Sequence, residues 1–120
     1  MAKKIPQLEN HPFTFPTELT FPAYCYNVVD GDTIDVIIAL PFDNIGYERL
    51  RIKDIDTPEK GQALWTEATE LTKAFVLGKQ LKIVTSKDSK TFDRYVAEVF
   101  YMSRAGWSSL AAALKRNGFQ

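Results

Sequence analysis

Two strand-like segments joined by an aspartate-glycine turn constrain the fold of this chain more than any other feature. β-Branched and aromatic residues dominate residues 24–29 and again residues 33–40. The dipeptide Asp30-Gly31 lies between them, and this pair is a strong signal for a tight hairpin. The sequence therefore predicts an antiparallel hairpin, against which the later elements must pack.

The rest of the chain alternates between strand-like and helix-like patterns. Residues 47–55 alternate apolar and charged side chains, as a half-buried strand does. Apolar residues then recur every three or four positions from Leu64 to Val76, which predicts a helix. Further elements are predicted as strands over residues 81–85 and 95–102 and as a short helix over residues 108–117. The order predicts an α+β fold, a small five-stranded OB-type Greek-key β-barrel with two or three helices packed on it.

The length of the chain limits it to one domain. A chain of 120 residues, of which 45% are hydrophobic, can form one core and is too short for two. Residues 1–22 contain four prolines and show no periodicity, so we expect an irregular N-terminal arm there. The folded domain is expected to cover residues 23–120. Cys25 is the only cysteine, which excludes an internal disulfide.

Charge and hydropathy narrow the classes of function. Fifteen basic residues balance fifteen acidic ones, so no global field attracts polyanions. This counts against a protein that coats nucleic acid through many phosphate contacts, but not against an enzyme that needs transient contact. No apolar run approaches the roughly 20 residues that cross a bilayer, and no secretory signal is visible. We expect a cytoplasmic protein without membrane association, or a secreted one if its signal has been removed.

Two short motifs concentrate acidic side chains beside an arginine. The first is Asp-Gly-Asp-Thr at residues 30–33, and the second is Arg-Ile-Lys-Asp-Ile-Asp-Thr-Pro-Glu at residues 51–59. Carboxylates gathered in a small domain repel one another unless they face water or hold a cation, and a hard oxygen-binding metal ion is the natural resolution. Taken singly, each motif is an ordinary turn, strand end or surface charge. Their occurrence together favours a chemical role.

These two motifs, followed by Phe-Asp-Arg-Tyr-Val-Ala, resemble the staphylococcal (micrococcal) nuclease family, whose domains are also called thermonuclease-like. The resemblance covers about residues 24–119. It implies that the carboxylates of Asp32 and Asp56 hold calcium together with the main-chain carbonyl of Thr57. Magnesium is the alternative ion.

The same resemblance assigns the residues that act on the phosphate. It implies that Arg51 and Arg94 grip the scissile phosphate and that Glu59 orients or deprotonates the attacking water. This set suits the reaction, because a phosphodiester reacts faster when charge on its oxygens is neutralised and a water molecule is held in line. Arginine suits the first task because its planar fork can bind two oxygens.

Substrate contacts are implied in the polar segment around Arg94. Phe92 matches a position where the family often has an aromatic residue near the nucleotide, and it can stack on a base. Lys87 and Lys90 can meet flanking phosphates, although a solvated loop is an equal interpretation. Tyr95 stands where the family often has glycine, which predicts a more crowded phosphate end of the site.

Three functions stay open from the sequence. The first is a calcium-dependent endonuclease that acts on DNA and RNA with little sequence preference, favours single strands and leaves 3′-phosphates. The second is a noncatalytic OB-type module that binds nucleic acid or protein. The third is a structural piece of a larger assembly. We expect a monomer, with self-association as the alternative.

Overall fold

The structure is a computed structural model that describes the backbone of residues 18–91 and 94–120, and the side chains of residues 18–85 and 95–120. In chain order its elements are β1 (Glu18–Asp30), β2 (Thr33–Leu40), β3 (Asn44–Ile52), α1 (Trp65–Val76), β4 (Gln80–Thr91), β5 (Arg94–Ser103), β6 (Gly106–Ser109) and α2 (Leu110–Arg116). Across these ranges, the structure contains no helix with the length and hydropathy of a bilayer-spanning segment.

The strands form one sheet that curves into a ring. Its order is β3-β2-β1-β4-β5-β6, and every neighbouring pair is antiparallel. A short parallel pairing between β3 and β5 joins the two ends, so five strands close the ring while β6 extends β5 as a hairpin. The predicted α+β class is confirmed, but the described part of the chain has six strands rather than five.

β1, β3 and β4 differ in length from the predicted strands. β4 continues to Thr91 instead of ending at residue 85, so the backbone of Lys87 and Lys90 lies in a strand rather than in a loop. β1 already pairs with β4 at Glu18, so residues 18–22, which we assigned to the irregular arm, are part of a strand. Pro22 is tolerated there because β1 pairs with β2 only from Ala23 onward. On that side of β1 no neighbouring strand needs a hydrogen bond from the proline nitrogen. β3 ends at Ile52 rather than at residue 55, because Asp54 has a φ of 67° and turns the chain out of the sheet.

The core fills the ring and extends under both helices. Inward positions of the strands carry fully buried aliphatic side chains, and each contributes roughly 1.5–3 kcal/mol by leaving water. They include Ile34, Val36, Ile52, Leu81 and Ile83. α1 adds Val76, and α2 adds Leu110 and Leu114. Cys25 is also fully buried, and desolvation raises the pKa of its thiol to about 11.

Gly31 is required for space rather than for an unusual backbone conformation. Asp30 pairs with Thr33 to close the predicted hairpin, yet Gly31 is not among the residues with positive φ. A Cβ atom at this position would lie 2.8 Å from Oγ1 of Thr57 and 2.9 Å from Cβ of Ala68. The Thr72 hydroxyl also donates a hydrogen bond of 2.7 Å to the Gly31 carbonyl. The hairpin tip is therefore packed tightly against α1 and the segment that follows β3.

We expect Gly31→Ala to lower the free energy of unfolding by about 1–3 kcal/mol, because the new methyl group overpacks the contact with Thr57 and α1. Urea denaturation measures this change. Gly46→Ala is the control, since its Cβ would meet only the flexible Leu40 side chain, at 3.3 Å. Equal stability of the two variants would show that the hairpin tip can move away from α1.

Asp35 ties the first three strands together on the outer face of the ring. Arg49 donates to both carboxylate oxygens, with Nε 2.7 Å from Oδ1 and Nη2 3.1 Å from Oδ2. The Asn27 amide donates to Oδ2 at 2.9 Å. The hydrogen bonds from Arg49 lower the pKa of Asp35, although burial of the carboxylate acts in the opposite direction. The folded protein therefore favours the ionised form of this side chain.

Asp35 should make stability depend on pH in the acid range. Because its pKa is lower in the folded state, its contribution is present above the ordinary aspartate pKa of about 3.9 and is lost as the pH falls through the folded value. Urea denaturation from neutral to acid pH should show Asp35→Asn less stable than the parent near pH 7, with the gap closing in acid. Asp43→Asn in an exposed turn controls for loss of one charge. A gap that stays constant with pH would contradict this role.

Candidate metal and phosphate site

Asp32 lies at the hairpin tip and holds the segment after β3 in place. Its Oδ2 accepts the main-chain N–H of Thr57 at 3.0 Å, and its Oδ1 accepts the Thr33 hydroxyl at 3.0 Å. The residue is only 7% exposed. A buried carboxylate is costly unless it is hydrogen-bonded, and these two donors meet that requirement. Asp32 therefore joins two segments that are 25 residues apart in sequence.

Arg51 lies between the two predicted carboxylate ligands. Its Nη2 is 3.2 Å from Oδ1 of Asp56 and 3.6 Å from Oδ2 of Asp32. Its Nη1 donates to the main-chain carbonyls of Ile52 and Ile55. One end of the guanidinium is thus held by backbone, while the other end contacts both carboxylates. The structure brings together Asp32, Arg51, Asp56 and Thr57, and the roles that the resemblance implies for them stay predictions.

The two carboxylates differ in exposure. The Asp32 side chain is 9% exposed and the Asp56 side chain is 86% exposed. The main-chain N–H of Asp56 donates to the main-chain oxygen of Gln120, so the last residues lie beside this segment. An open cleft of about 330 Å³ lies here, lined by Asp56, Thr57, Pro58, Gln62, Leu64, Gly118, Phe119 and Gln120. The site therefore combines one buried carboxylate, that of Asp32, with one that faces water, that of Asp56.

The donor set fits a hard divalent cation that keeps open coordination positions. Two carboxylates converge on one positively charged group, and hard cations take carboxylate and carbonyl oxygens. Among residues 18–85 and 95–120, whose side chains the structure describes, no cluster of three or more His, Cys, Asp or Glu side chains is placed to hold a metal ion. The available protein ligands are therefore few.

Glu59 lies apart from this cluster. It is exposed, and its main-chain N–H donates to Oε1 of Gln62 at 2.7 Å. Its side chain lines a neighbouring open cavity of about 510 Å³ whose other lining residues are Val29, Asp30, Lys60 and Trp65. Within the described residues its carboxylate makes no hydrogen bond or ion pair. Glu59, the predicted base, is only two residues from Thr57 in sequence, but its carboxylate does not contact Arg51 through a hydrogen bond or ion pair.

The second predicted arginine is described only by its backbone. Arg94 begins β5, and Arg51 of β3 pairs in parallel with Val96 two residues further on. The side chains of Arg94, Lys87 and Lys90, and all of Phe92, lie outside the described residues. Their predicted contacts with substrate therefore stay predictions.

Tyr95 lies on the opposite face of the sheet from Arg51. It pairs with Leu50, whose side chain points to the opposite face of β3 from that of Arg51. Accordingly, Tyr95 lines a cavity of about 200 Å³ together with Phe21, Ile38, Glu48, Leu50, Ile83 and Thr85. The side chain of Arg94, which precedes Tyr95, lies outside the described residues, so the predicted crowding of the phosphate end stays a prediction.

Both tryptophans are partly exposed and contact a charged side chain. The indole N–H of Trp65 donates to Oδ1 of Asp30 at 2.6 Å, beside the cavity that Glu59 lines. Trp107 is 41% exposed, and Nζ of Lys82 lies 5.6 Å from its ring centroid. The contact between Asp30 and Trp65 spans 35 residues, and no local pattern in the sequence signals it.

Comparisons with known proteins give a partial relationship to a nuclease. No protein-family profile matches the chain. It is 31% identical over 85 residues to a micrococcal nuclease of Shigella flexneri, a match that covers 71% of this chain and 45% of that protein. The chain thus spans less than half the length of this relative. Among solved structures, it is similar to extended Tudor domain TD3 of mouse TDRD1, solved with a MILI peptide containing dimethylarginine 45. That match has a TM-score of 0.47 and 14% identity, covering 92% of this chain and 70% of the other.

The burial of Asp32 predicts a difference between the two acidic residues. Asp32→Asn replaces an acceptor of buried donors with an amide and should lower the free energy of unfolding by about 1–3 kcal/mol. Asp56→Asn alters an exposed ion pair with the same arginine and should cost less than about 1 kcal/mol. Urea denaturation in EDTA measures both without cation effects. Equal losses would show that Asp32 does not hold the Thr57 segment.

Proposed function

We propose that this protein is a metal-dependent phosphodiesterase, an endonuclease that hydrolyses DNA and RNA with little sequence preference. One observation carries the proposal: the carboxylates of Asp32 and Asp56 converge on the guanidinium of Arg51. Groups suited to a hard cation and to a phosphate therefore lie side by side. The partial similarity to a micrococcal nuclease supports the same reaction.

The topology supports an OB-type fold as the scaffold. The ring runs β1-β2-β3-β5-β4, with α1 between the third and fourth strands. This matches a small five-stranded Greek-key barrel, with β6 as an added hairpin strand. Folds of this type bind oligonucleotides, which is consistent with the proposed substrate.

Asp32, Asp56 and the main-chain carbonyl of Thr57 would hold the cation, with calcium as the proposed ion and magnesium as the alternative. When bound, such an ion would neutralise charge on a phosphoryl oxygen and make a bound water more acidic. Calcium suits this set because it accepts carboxylate and carbonyl oxygens in irregular geometry. The exposure of Asp56 leaves the site open to solvent and substrate.

The remaining roles fall to the arginines and Glu59. Arg51 would bind the non-bridging oxygens of the scissile phosphate, and Arg94 on the adjacent strand would supply a second positive charge. Glu59 would accept a proton from the attacking water as the new bond from oxygen to phosphorus forms. The bond from phosphorus to the 5′ oxygen breaks, that oxygen takes a proton from solvent, and the 3′-phosphate remains on the other product.

A noncatalytic nucleic-acid-binding module is the second candidate, and one observation favours it. Glu59 lines a cavity with Asp30 and Trp65, and within the described residues no hydrogen bond or ion pair joins its carboxylate to Arg51. If this arrangement persists when substrate binds, the domain would retain the phosphate-binding arginine and lack a positioned base. Cleavage measurements separate the two candidates.

The decisive experiment incubates the purified protein with labelled single-stranded DNA and RNA in calcium, in magnesium and in EDTA. We expect metal-dependent cleavage, slowed by at least about 100-fold in Glu59→Gln because the proton acceptor is lost. Filter binding should show that this variant still binds the oligonucleotide. Glu67→Gln, an exposed carboxylate on α1, is the matched control and should cleave normally.

Two results would contradict the nuclease assignment. Wild-type protein that is folded but cleaves nothing in either metal would favour the binding module. Cleavage at an unchanged rate by Glu59→Gln would remove that residue from the mechanism, and Arg51→Ala would then show whether the activity belongs to this site at all.

A further inference from the structure

We infer that Trp65 binds a nucleobase of the substrate in the cavity that it shares with Glu59, beside the phosphate site. This inference rests on the proposed function and adds to it a contact that recognises the base rather than the phosphate. The cavity has a volume of about 510 Å³ and is lined by Val29, Asp30, Glu59, Lys60 and Trp65. Its volume lies within the range of roughly 300–1,000 Å³ that is typical of pockets for small ligands.

The ring of Trp65 is left at the edge of the core rather than inside it. Leu71, Phe75 and Val76 of α1 pack in or against the core, whereas Trp65, the first residue of the helix, is only half-buried. An indole ring has a large apolar surface whose burial is favourable. Because this side chain lines an open cavity, a planar ligand that covers the ring would remove more of that surface from water.

Asp30 holds the Trp65 ring in place. The indole N–H donates to Oδ1 of Asp30 at 2.6 Å, and Asp30 pairs with Thr33 to close the hairpin. The ring is therefore attached to the hairpin as well as to α1, and its one polar group is already satisfied. Its apolar faces stay available for stacking, and a ring that is fixed beforehand loses less conformational entropy when a base binds.

The cavity lies within reach of the phosphate site along both segments that form it. Asp30 precedes Asp32 by two residues, and Glu59 follows Thr57 by two residues. Successive Cα atoms are about 3.8 Å apart, so the Cα atoms of each pair are separated by at most about 7.6 Å. The Asp32 carboxylate in turn accepts the Thr57 N–H at 3.0 Å. A nucleotide whose phosphate contacts Arg51 can therefore place an adjacent base in this cavity.

The charges that line the cavity favour a base over a phosphate. Asp30 and Glu59 each carry a negative charge and Lys60 carries a positive one, so on balance the lining repels a second phosphate group. A nucleobase is neutral, and the amino groups of adenine, cytosine and guanine can donate to a carboxylate. Stacking itself does not depend on which base is present, because every base has a π-face. Such a site is consistent with the proposed lack of sequence preference.

Recognition of this kind favours a single strand. In a duplex each base is stacked between its neighbours and must leave the stack before it can meet Trp65. The free-energy cost of unstacking weakens the binding of double-stranded DNA at this cavity. The protein should therefore bind single-stranded oligonucleotides more tightly than duplexes of the same length.

The first test measures the binding of labelled octathymidylate by fluorescence anisotropy in EDTA, which stops the metal-dependent reaction. Trp65→Leu removes the aromatic ring and should weaken binding by at least about 5-fold relative to wild type, the lower end of what one stacked base contributes. Trp65→Phe keeps a ring but cannot donate to Asp30, and it should recover most of that loss. Circular dichroism checks that each variant is folded. Equal losses in the two variants would show that only the hydrogen bond to Asp30 matters, and would overturn the inference.

A second oligonucleotide isolates the contribution of the base. An octamer with the same sugar-phosphate backbone and an abasic nucleotide at every position should bind wild-type protein at least about 5-fold more weakly than octathymidylate. Trp65→Leu should lose no further affinity for it. Variant and ligand together form a double-mutant cycle, in which a contact between Trp65 and a base appears as a coupling. Equal losses by Trp65→Leu for both octamers would contradict such a contact.

The fluorescence of Trp65 gives an independent measurement. The chain has two tryptophans, so Trp107→Phe leaves Trp65 as the only one. Octathymidylate should quench the fluorescence of this variant saturably. Trp65→Phe is the matched control, because its remaining tryptophan lies on β6 and does not line the cavity, and its fluorescence should stay almost unchanged.

The outcomes separate this inference from the proposed function. If Trp65→Leu binds octathymidylate as wild type does and wild type still cleaves DNA with metal, the inference fails and the nuclease assignment stands. An absence of quenching in Trp107→Phe at saturating octathymidylate would overturn the inference in the same way. If folded wild type neither binds octathymidylate nor cleaves DNA, the proposed function fails and this inference fails with it.

Discussion

The candidate site depends on the hydrogen bonds that the buried carboxylate of Asp32 accepts. This carboxylate lies at the tip of a hairpin, where an aspartate would ordinarily face water, and it instead accepts hydrogen bonds from Thr57 and Thr33. These bonds and the nearby guanidinium of Arg51 offset the cost of removing the charge from water. The close approach is possible because Gly31 has no side chain to separate the tip from Thr57. The packing that stabilises the fold therefore also assembles the site.

Closure of the ring supplies the second half of the site. Only three residue pairs join β3 to β5, from Leu50 with Tyr95 to Ile52 with Ala97, and the Lys53 N–H adds a bond to the Ala97 carbonyl. The Ile52 N–H also donates to the Asp32 carbonyl at 2.8 Å. The end of β3 thus contacts both the hairpin tip and β5. Arg51 stands at this junction, so its position is set by backbone from three elements.

Local sequence patterns predicted which helices and strands form better than they predicted where each one begins and ends. The hairpin and α1 were evident because alternation and a three-to-four-residue period reflect which side chains are buried. The start of β1 was missed because prolines indicate irregular structure, whereas Pro22 lies where only one neighbour pairs. The closing of β3 on β5 was beyond local reasoning, since it joins segments more than 40 residues apart.

The candidate site shows the same division. The proximity of Asp32, Arg51, Asp56 and Thr57 was predicted from the order of motifs and a family resemblance, not from periodicity. The hydrogen bond from Trp65 to Asp30 depends on how α1 packs, and a tryptophan within an apolar period indicates only burial. Likewise, Arg51 on an alternating strand indicates an outward-facing charge. Its contact with Asp56 follows the turn at Asp54, and its contact with Asp32 follows the pairing of β3 with β2.

The contacts of Arg51 allow two acidic side chains to lie close together in a stable fold. Two carboxylates without a counter-charge would repel each other and weaken the hairpin tip. Arg51 supplies a counter-charge from within the chain, with Nη2 3.2 Å from Asp56 and 3.6 Å from Asp32. Because Nη1 of the same side chain donates to the main-chain carbonyls of Ile52 and Ile55, this arginine also holds the end of β3 beside both carboxylates.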